Sequence, residues 1–443
     1  MNLLAVLLFC ACLLGCIVFD ISILYAMAAG VVIFSVYTLL RGYSFKELIN
    51  MMLTGVKPAK NILLALVLIG MMTALWRGGG TIPTIVTYSA SLIRPEIFVL
   101  AAFLLNCGVA FLMGTSLGTA ATMGVICVTV GKAMGIAPEF IGGAVLSGCY
   151  FGDRCSPVST SALLVCTLTD TKLYENIKRM FKSALVPFIV SCGLFYLIGL
   201  KVSQGGTATD TTDLFAGFFR ISPIALIPAA IILLLALFRV DVKISISVSI
   251  VLAFLSSVFF QHANALEMLK ATVFGFKSGN AEIASMTDGG GIVSMMKVIM
   301  IIIFAMSFSG IFEGTGLTES FKESAEKLSR KITPHGAVFV VSIITSMIGS
   351  NQPIAVVLAH QLCDKTEPDK QKLAIYLEDT AILLVALVPW STAGGGALAA
   401  AGAPTKSIMF ACFLYVLPVI NVITDIIRDF HAKKRKIPET AAH

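Results

Sequence analysis

Three carboxylates fall where runs of apolar residues leave them little water. Asp153 stands in Leu146-Ser-Gly-Cys-Tyr-Phe-Gly-Asp-Arg-Cys-Ser-Pro, and Glu378 with Asp379 in Leu377-Glu-Asp-Thr-Ala-Ile-Leu-Leu. Charge at membrane depth is expensive and marks function by default. A carboxyl taken out of water can be neutralised by a proton or by a small cation, and competition between the two is the least machinery that cation/proton exchange requires. On a helix, neighbouring side chains point about 100° apart. One of Glu378 and Asp379 would therefore face a cavity while the other caps or pairs. Asp153 has a plainer alternative, as the partner of Arg154.

Four stretches break the helical pattern near these acids: Gly114-Thr115-Ser116; Gly152 to Pro157, running on to Ser159 and Thr160; Gly349-Ser350-Asn351-Gln352-Pro353; and Pro389-Trp390-Ser391-Thr392 with the glycines after it. Lipid cannot satisfy freed amides and carbonyls, so broken backbone at membrane depth must be buried in protein or line a water-filled cavity. Helix ends, carbonyls and small hydroxyls are what a dehydrated cation or a carboxylate takes as ligands. The candidate ion- or substrate-binding residues are therefore Thr115, Ser116, Asp153, Ser156, Ser159, Thr160, Asn351, Gln352, Glu378, Asp379, Ser391 and Thr392. Any one break could be a structural kink, but two related pairs argue for a site. Arg77 and Glu313 could form an ion pair or gate, with snorkelling at span ends as the alternative. His360 and Gln361 either touch substrate or mark the end of a short span. Gly78-Gly79-Gly80 lacks the following Lys-Ser/Thr of a phosphate loop. No Ser/Lys, Ser/His or paired-Asp arrangement suggests an intramembrane enzyme.

The elements that must position these groups are helices. With 57% hydrophobic and 13% charged residues among 443, the chain is far from the quarter charged typical of soluble domains. Its apolar blocks reach the roughly 20 residues that span a bilayer as helix, and the short alternation of a β-barrel is missing. The spans read 2–19, 21–40, 61–76, 97–113, 116–134, 138–152, 156–170 and 184–200. After a polar connector they continue as 221–238, 243–260, 292–313, 335–349, 352–363, 374–390, 392–404 and 405–427. The net charge of +7 resides in short loops, where topology explains it better than nucleic acid does. The eleven cysteines form no paired CxxC and read as small core residues. Leu13-Leu14-Gly15-Cys16 imitates a lipoprotein cleavage box, but no Lys or Arg precedes it.

The two lists of spans share a rhythm, and the punctuation repeats in the same order. Glu47, Gly55 and Lys57 return as Glu267, Gly275 and Lys277; Trp76-Arg77-Gly78 as Phe312-Glu313-Gly314; Gly114-Thr115-Ser116 as Gly349-Ser350-Asn351; Pro157-Val158-Ser159-Thr160 as Pro389-Trp390-Ser391-Thr392. This predicts a duplication: a first transmembrane repeat over 1–200, a connector over 201–220, a second over 221–427 and a basic cytoplasmic tail over 428–443. Placing that tail and the basic stretches near Lys57, Lys178, Lys243 and Lys327 inside puts Glu47-Gly55-Lys57 on the opposite side from its twin. The expected fold is all-α and polytopic, with two inverted repeats whose broken helices or re-entrant hairpins meet near the bilayer midplane.

With these segments in hand, the chain resembles the NhaC family of sodium/proton antiporters, a branch of the ion transporter superfamily. The matching residues are Leu68-Ile69-Gly70-Met71 through Trp76 to Gly80-Thr81-Ile82-Pro83-Thr84, Gly114 to Thr119, Ser147 to Asp153 with Ser156-Pro157-Val158-Ser159, Asn351-Gln352, Leu377-Glu378-Asp379 and Pro389 to Thr392. The resemblance implies a multi-pass bacterial inner-membrane transporter with ion sites near Asp153, Ser159, Asn351 and Asp379, sodium lying at Asp153, Asn351 and Asp379. Two positions depart from the family pattern: Thr160 stands where an acid is common and Ser391 where Asn is usual. Losing one carboxylate changes the charge the site can balance. The expectation is sodium/proton antiport by alternating access, with transported sodium and protons and no cofactor. A sodium- or proton-coupled carrier of an amino acid or organic acid is the alternative. The partners would be the lipid bilayer and the ions, with a small organic solute and a homodimer left open and no nucleic acid.

Overall fold

The computed structural model describes residues 21–92, 94–203, 217–238, 240–280, 287–316 and 332–435, with isolated positions at 4–16, 215 and 283–284. The span read at 2–19, most of the 201–220 connector, the basic stretch at 322–331 and the end of the basic tail lie largely or wholly outside the described residues. Those described are helical almost throughout. In chain order the helices are α1 Ile23–Leu40, α2 Phe45–Val56, α3 Lys60–Gly78, α4 Thr81–Leu92, α5 Pro95–Met113, α6 Ser116–Ala133, α7 Pro138–Cys155, α8 Thr160–Thr169 and α9 Leu173–Ser203. They continue with α10 Ile227–Leu237, α11 Val242–Phe260, α12 Ala265–Phe274, α13 Ile292–Gly314, α14 Pro334–Gly349, α15 Gln352–Cys363, α16 Lys370–Asp379, α17 Thr392–Ala401 and α18 Cys412–Arg435.

Seven helices are long and apolar enough to cross a membrane, or eight if the bent pair Lys370–Leu387 and Thr392–Ala401 counts as one span. Exposed Leu185, Val186, Ile189, Val251 and Ile423 put apolar side chains where lipid, not water, is the natural solvent. The protein is a multi-pass membrane protein. Several boundaries differ from the sequence reading, and the span read at 374–390 is interrupted after Asp379. α9 begins at Leu173 because its first turns are amphipathic and carry their lysines outward. α18 begins only at Cys412, since Thr405–Phe410 winds as a 3-10 turn after Pro404. α4 is an addition that hydropathy blocks did not reveal.

Packing is exchanged between the two halves. α1 and α2 lie on α13, whereas α11 and α12 lie on α3; α8 packs on α15 and α16, whereas α17 packs on α6 and α7; α9 touches α16 as α18 touches α7. α3 and α13 cross in opposite directions. Gly55, just before α3, lies against Met306 and Gly310 late in α13, while Gly70 lies against Gly291 at its start, with Gly291 N–H donating to the Gly70 carbonyl at 2.7 Å. Small residues permit such close crossings where lipid supplies no hydrophobic drive between helices. The tightest pair, α5 and α7, meets through Gly148 and Gly152: a β-carbon on Gly148 would run into the Phe103 carbonyl oxygen. Gly148→Val should therefore push these helices apart and lower the melting temperature in detergent by several degrees, in line with the ~1–3 kcal/mol of an overpacked core. An unchanged melting curve would refute that contact.

Candidate functional site

Each hairpin break is written into the backbone. α5 ends with Gly114 in the left-handed region (φ 65°), and Thr115 then extends (φ −150°) to cap α6; α14 ends with Ser350 left-handed (φ 54°), and Asn351 extends (φ −144°) to cap α15. The left-handed residue is the register mark, so Gly114 answers Ser350 and Thr115 answers Asn351. This moves the sequence alignment of the two breaks by one residue. The second pair of breaks keeps its alignment. Ser159 accepts from Ala162 N–H at 3.2 Å to cap α8, and Ser391 accepts from Gly394 N–H at 2.8 Å to cap α17. A capping hydroxyl satisfies one of the donors orphaned at a helix start, which is why Ser, Thr and Asn punctuate these breaks.

The four breaks converge. The first turn of α6 packs against that of α17, and α8 packs against α15 and α16. Asp153 is 3% exposed there and accepts from Ser159 Oγ at 2.8 Å, with Ser161 Oγ 2.8 Å from that same hydroxyl. Ser116, at the start of α6, approaches the carboxylate with its hydroxyl and its N–H. Asp153 is thus surrounded by hydroxyl groups and a helix start, with no cation paired to it among the described residues. Arg154 turns away from it. Its guanidinium forms a fully buried ion pair with Asp379 and donates to the Glu378 carbonyl at 3.1 Å, the Met180 carbonyl at 3.1 Å and Ser183 Oγ at 2.9 Å. Asp379 also accepts from Ser183 Oγ at 3.2 Å and from Asn421 Nδ2 at 2.7 Å. Both of its oxygens are engaged by the protein, and Asp379, not Asp153, is the partner of Arg154. Glu378 is the reverse case: it is fully buried and neither carboxyl oxygen has a hydrogen-bond partner among the described residues.

The remaining candidates divide by role. Ser156 donates to the Phe111 carbonyl at 2.6 Å and Ser391 to the Val385 carbonyl at 2.6 Å, so these hydroxyls tie breaks to neighbouring backbone. Thr392 N–H donates to the Ser350 carbonyl at 2.9 Å, joining the third and fourth breaks, and Gln352 reaches the Ile382 carbonyl at 3.4 Å. Asn351 spends its oxygen on capping Ile354 N–H at 2.9 Å. Thr160 is exposed and, with Thr115, lines a cavity of 520 Å³ that also holds Asp241 and Lys243. Arg77 donates to the Asp288 carbonyl at 3.0 Å while Glu313 lies exposed on α13, so the two do not form the ion pair considered from sequence. His360, in the last turn of α15, lies 3.7 Å from Asp364. Sequence reasoning missed Ser183 and Asn421; the one available signal was a lone Asn inside the last apolar span.

The match to known proteins fits this arrangement. A model described as the Na+/H+ antiporter family matches residues 2–169 and 148–426. The chain belongs to the Na+/H+ antiporter family. It is 28% identical to the Na(+)/H(+) antiporter NhaC of Bacillus subtilis over 90% of this chain and 91% of that protein. The Malate-2H(+)/Na(+)-lactate antiporter of the same organism is 27% identical over 80% of this chain and 78% of its own length. The Arginine/ornithine antiporter ArcD of Halobacterium salinarum is 27% identical over 86% and 81%. The two overlapping segments matched by the family model meet at residues 148–169, which contain Asp153, Ser159 and Ser161. This antiporter-family protein is a transporter of the cell membrane.

Proposed function

We propose that the protein exchanges sodium for protons by alternating access, with Asp153 and Glu378 as the carboxyl groups that the two ions neutralise. The observation that carries this reading is the pair of buried carboxyls with no ion-pair partner among the described residues, set where four broken helices meet in a chain of this family. Leaving a bare charge in such surroundings costs several kcal/mol. A proton or a sodium ion removes that cost, and the hydroxyl oxygens of Ser159 and Ser161 around Asp153 are the hard ligands a small cation prefers. Sodium at Asp153 and protons at the same centre therefore exclude one another, and no cofactor chemistry enters the cycle. The antiparallel crossing of α3 with α13 and the exchanged packing of the two halves support inverted repeats, which rock against each other to alternate access.

The experiment is internal pH in proteoliposomes after a sodium gradient is imposed. Wild type should move protons without any added organic solute. Glu378→Gln, nearly isosteric with the acid, should keep the fold and melting temperature yet lose sodium-driven proton movement. Undiminished exchange in that variant would remove Glu378 from the cycle.

A second reading rests on a cavity of 640 Å³ lined by Arg179, Lys182, Lys372 and Arg428, with Asp379 among its walls. That volume suits a small organic molecule. Relatives named as malate/lactate and arginine/ornithine antiporters make a coupled organic acid or amino acid the alternative cargo. Proton movement that appears only when such a solute is supplied would favour it.

A further inference from the structure

Three cavities among the described residues differ in charge, and only one of them suits a cation. The cavity with Thr115 and Thr160 carries Asp241 and Lys243, whose charges cancel, and the 640 Å³ cavity carries four Lys and Arg side chains against Asp379 and Asp425, which are already paired. The third, of 410 Å³ between α13, α14 and α15, has one formal charge among its described lining residues: Glu313. Glu313 is exposed, and its carboxylate makes no ion pair or hydrogen bond among the described residues. Ser309 and Gln361 are its polar neighbours on the wall.

The wall of this cavity reaches one of the helix breaks. Ile348, Pro353 and Ile354 line it and flank the Ser350-Asn351 break. Ser350 accepts from Thr392 N–H, and the first turn of α17 packs on that of α6, where Ser116 approaches Asp153. The cavity lies toward the C-terminal end of α13. Because α3 and α13 run antiparallel, that end sits beside the start of α3, the side where Lys57 and Lys60 place the cytoplasm. A lone carboxylate in a cleft with apolar walls focuses its field inward and raises the local concentration of cations.

We infer that this cavity is the cytoplasmic access route for sodium and that Glu313 is its electrostatic collector, a residue that sets apparent affinity without joining the exchange at Asp153. The inference rests on the sodium/proton reading. It predicts a split between faces and between kinetic constants. In inside-out vesicles at low ionic strength, Glu313→Gln should raise the KM for sodium about three- to tenfold and leave kcat unchanged. The difference should shrink when choline chloride is raised to about 0.5 M, because exposed charges are then screened over a few ångströms. Glu313→Asp should restore the wild-type KM, and right-side-out vesicles should show equal KM for all three proteins. A Glu313→Gln KM that is unaltered, or raised equally from both faces, overturns the inference while leaving antiport standing. Absence of sodium-driven proton movement in wild type overturns the antiport reading and this inference with it.

Discussion

Asp153→Asn abolishes sodium-driven proton movement, to the level of protein-free liposomes, while leaving the protein folded. The amide keeps the size of the acid and can still accept from Ser159, but it can neither carry the charge that balances sodium nor take up a proton. Ser159→Ala offers the graded counterpart. It removes the hydroxyl 2.8 Å from Asp153 and the cap of α8 together. Hydrogen bonds to charged groups are worth ~1.5–3 kcal/mol, so sodium affinity should fall about tenfold or more, with exchange still measurable at saturating sodium. Both outcomes are read from initial rates of internal pH change across a sodium series. Persistent exchange in Asp153→Asn would move the ion site elsewhere.

The second large effect is on stability. Removing one partner from a buried ion pair leaves an uncompensated charge and costs about 3–5 kcal/mol. Arg154→Met strands Asp379, and Asp379→Leu strands Arg154, which also ties α7 to α9 and α16 through the Glu378 and Met180 carbonyls and Ser183 Oγ. Each single variant should unfold at markedly lower denaturant in detergent. The double variant Arg154→Met with Asp379→Leu should recover much of the loss, since apolar replacements of a buried pair are often neutral or better. This pattern separates Asp379 from Asp153 and Glu378, whose amide variants should lose transport and keep stability. Single variants as stable as wild type would show that the pair does not hold the two halves together.

These two results divide acids that look alike in sequence. Glu378 and Asp379 are adjacent, and helix geometry already requires them to face different ways; which one is paired depends on Arg154 and Asn421, far away in the chain. Asp153 and Arg154 are adjacent too, and the obvious local pairing is the one that does not form. The breaks were far more legible. Gly114, Ser159, Asn351 and Ser391 announced themselves because helix ends need a left-handed residue or a capping oxygen, requirements that act within three or four residues. The one-residue shift between Gly114 and Ser350 was not visible, because Gly349 beside Ser350 attracts the alignment while φ alone shows which residue turns the chain.

The amino-acid sequence by itself determined that this protein is helical, crosses a membrane many times, repeats its punctuation and carries acids beside broken helices. Those properties follow from hydropathy, helix length and capping, which are local or additive along the chain. Only the tertiary structure decided that Asp379 is locked to Arg154, that the buried Glu378 carboxyl has no hydrogen-bond partner among the described residues, that Arg77 and Glu313 stay apart, and that Glu313 is the one formal charge among the described residues lining its cavity. Each of these depends on which side chains meet across residues hundreds apart, and a charge or an orphaned carboxyl is defined by what surrounds it in space.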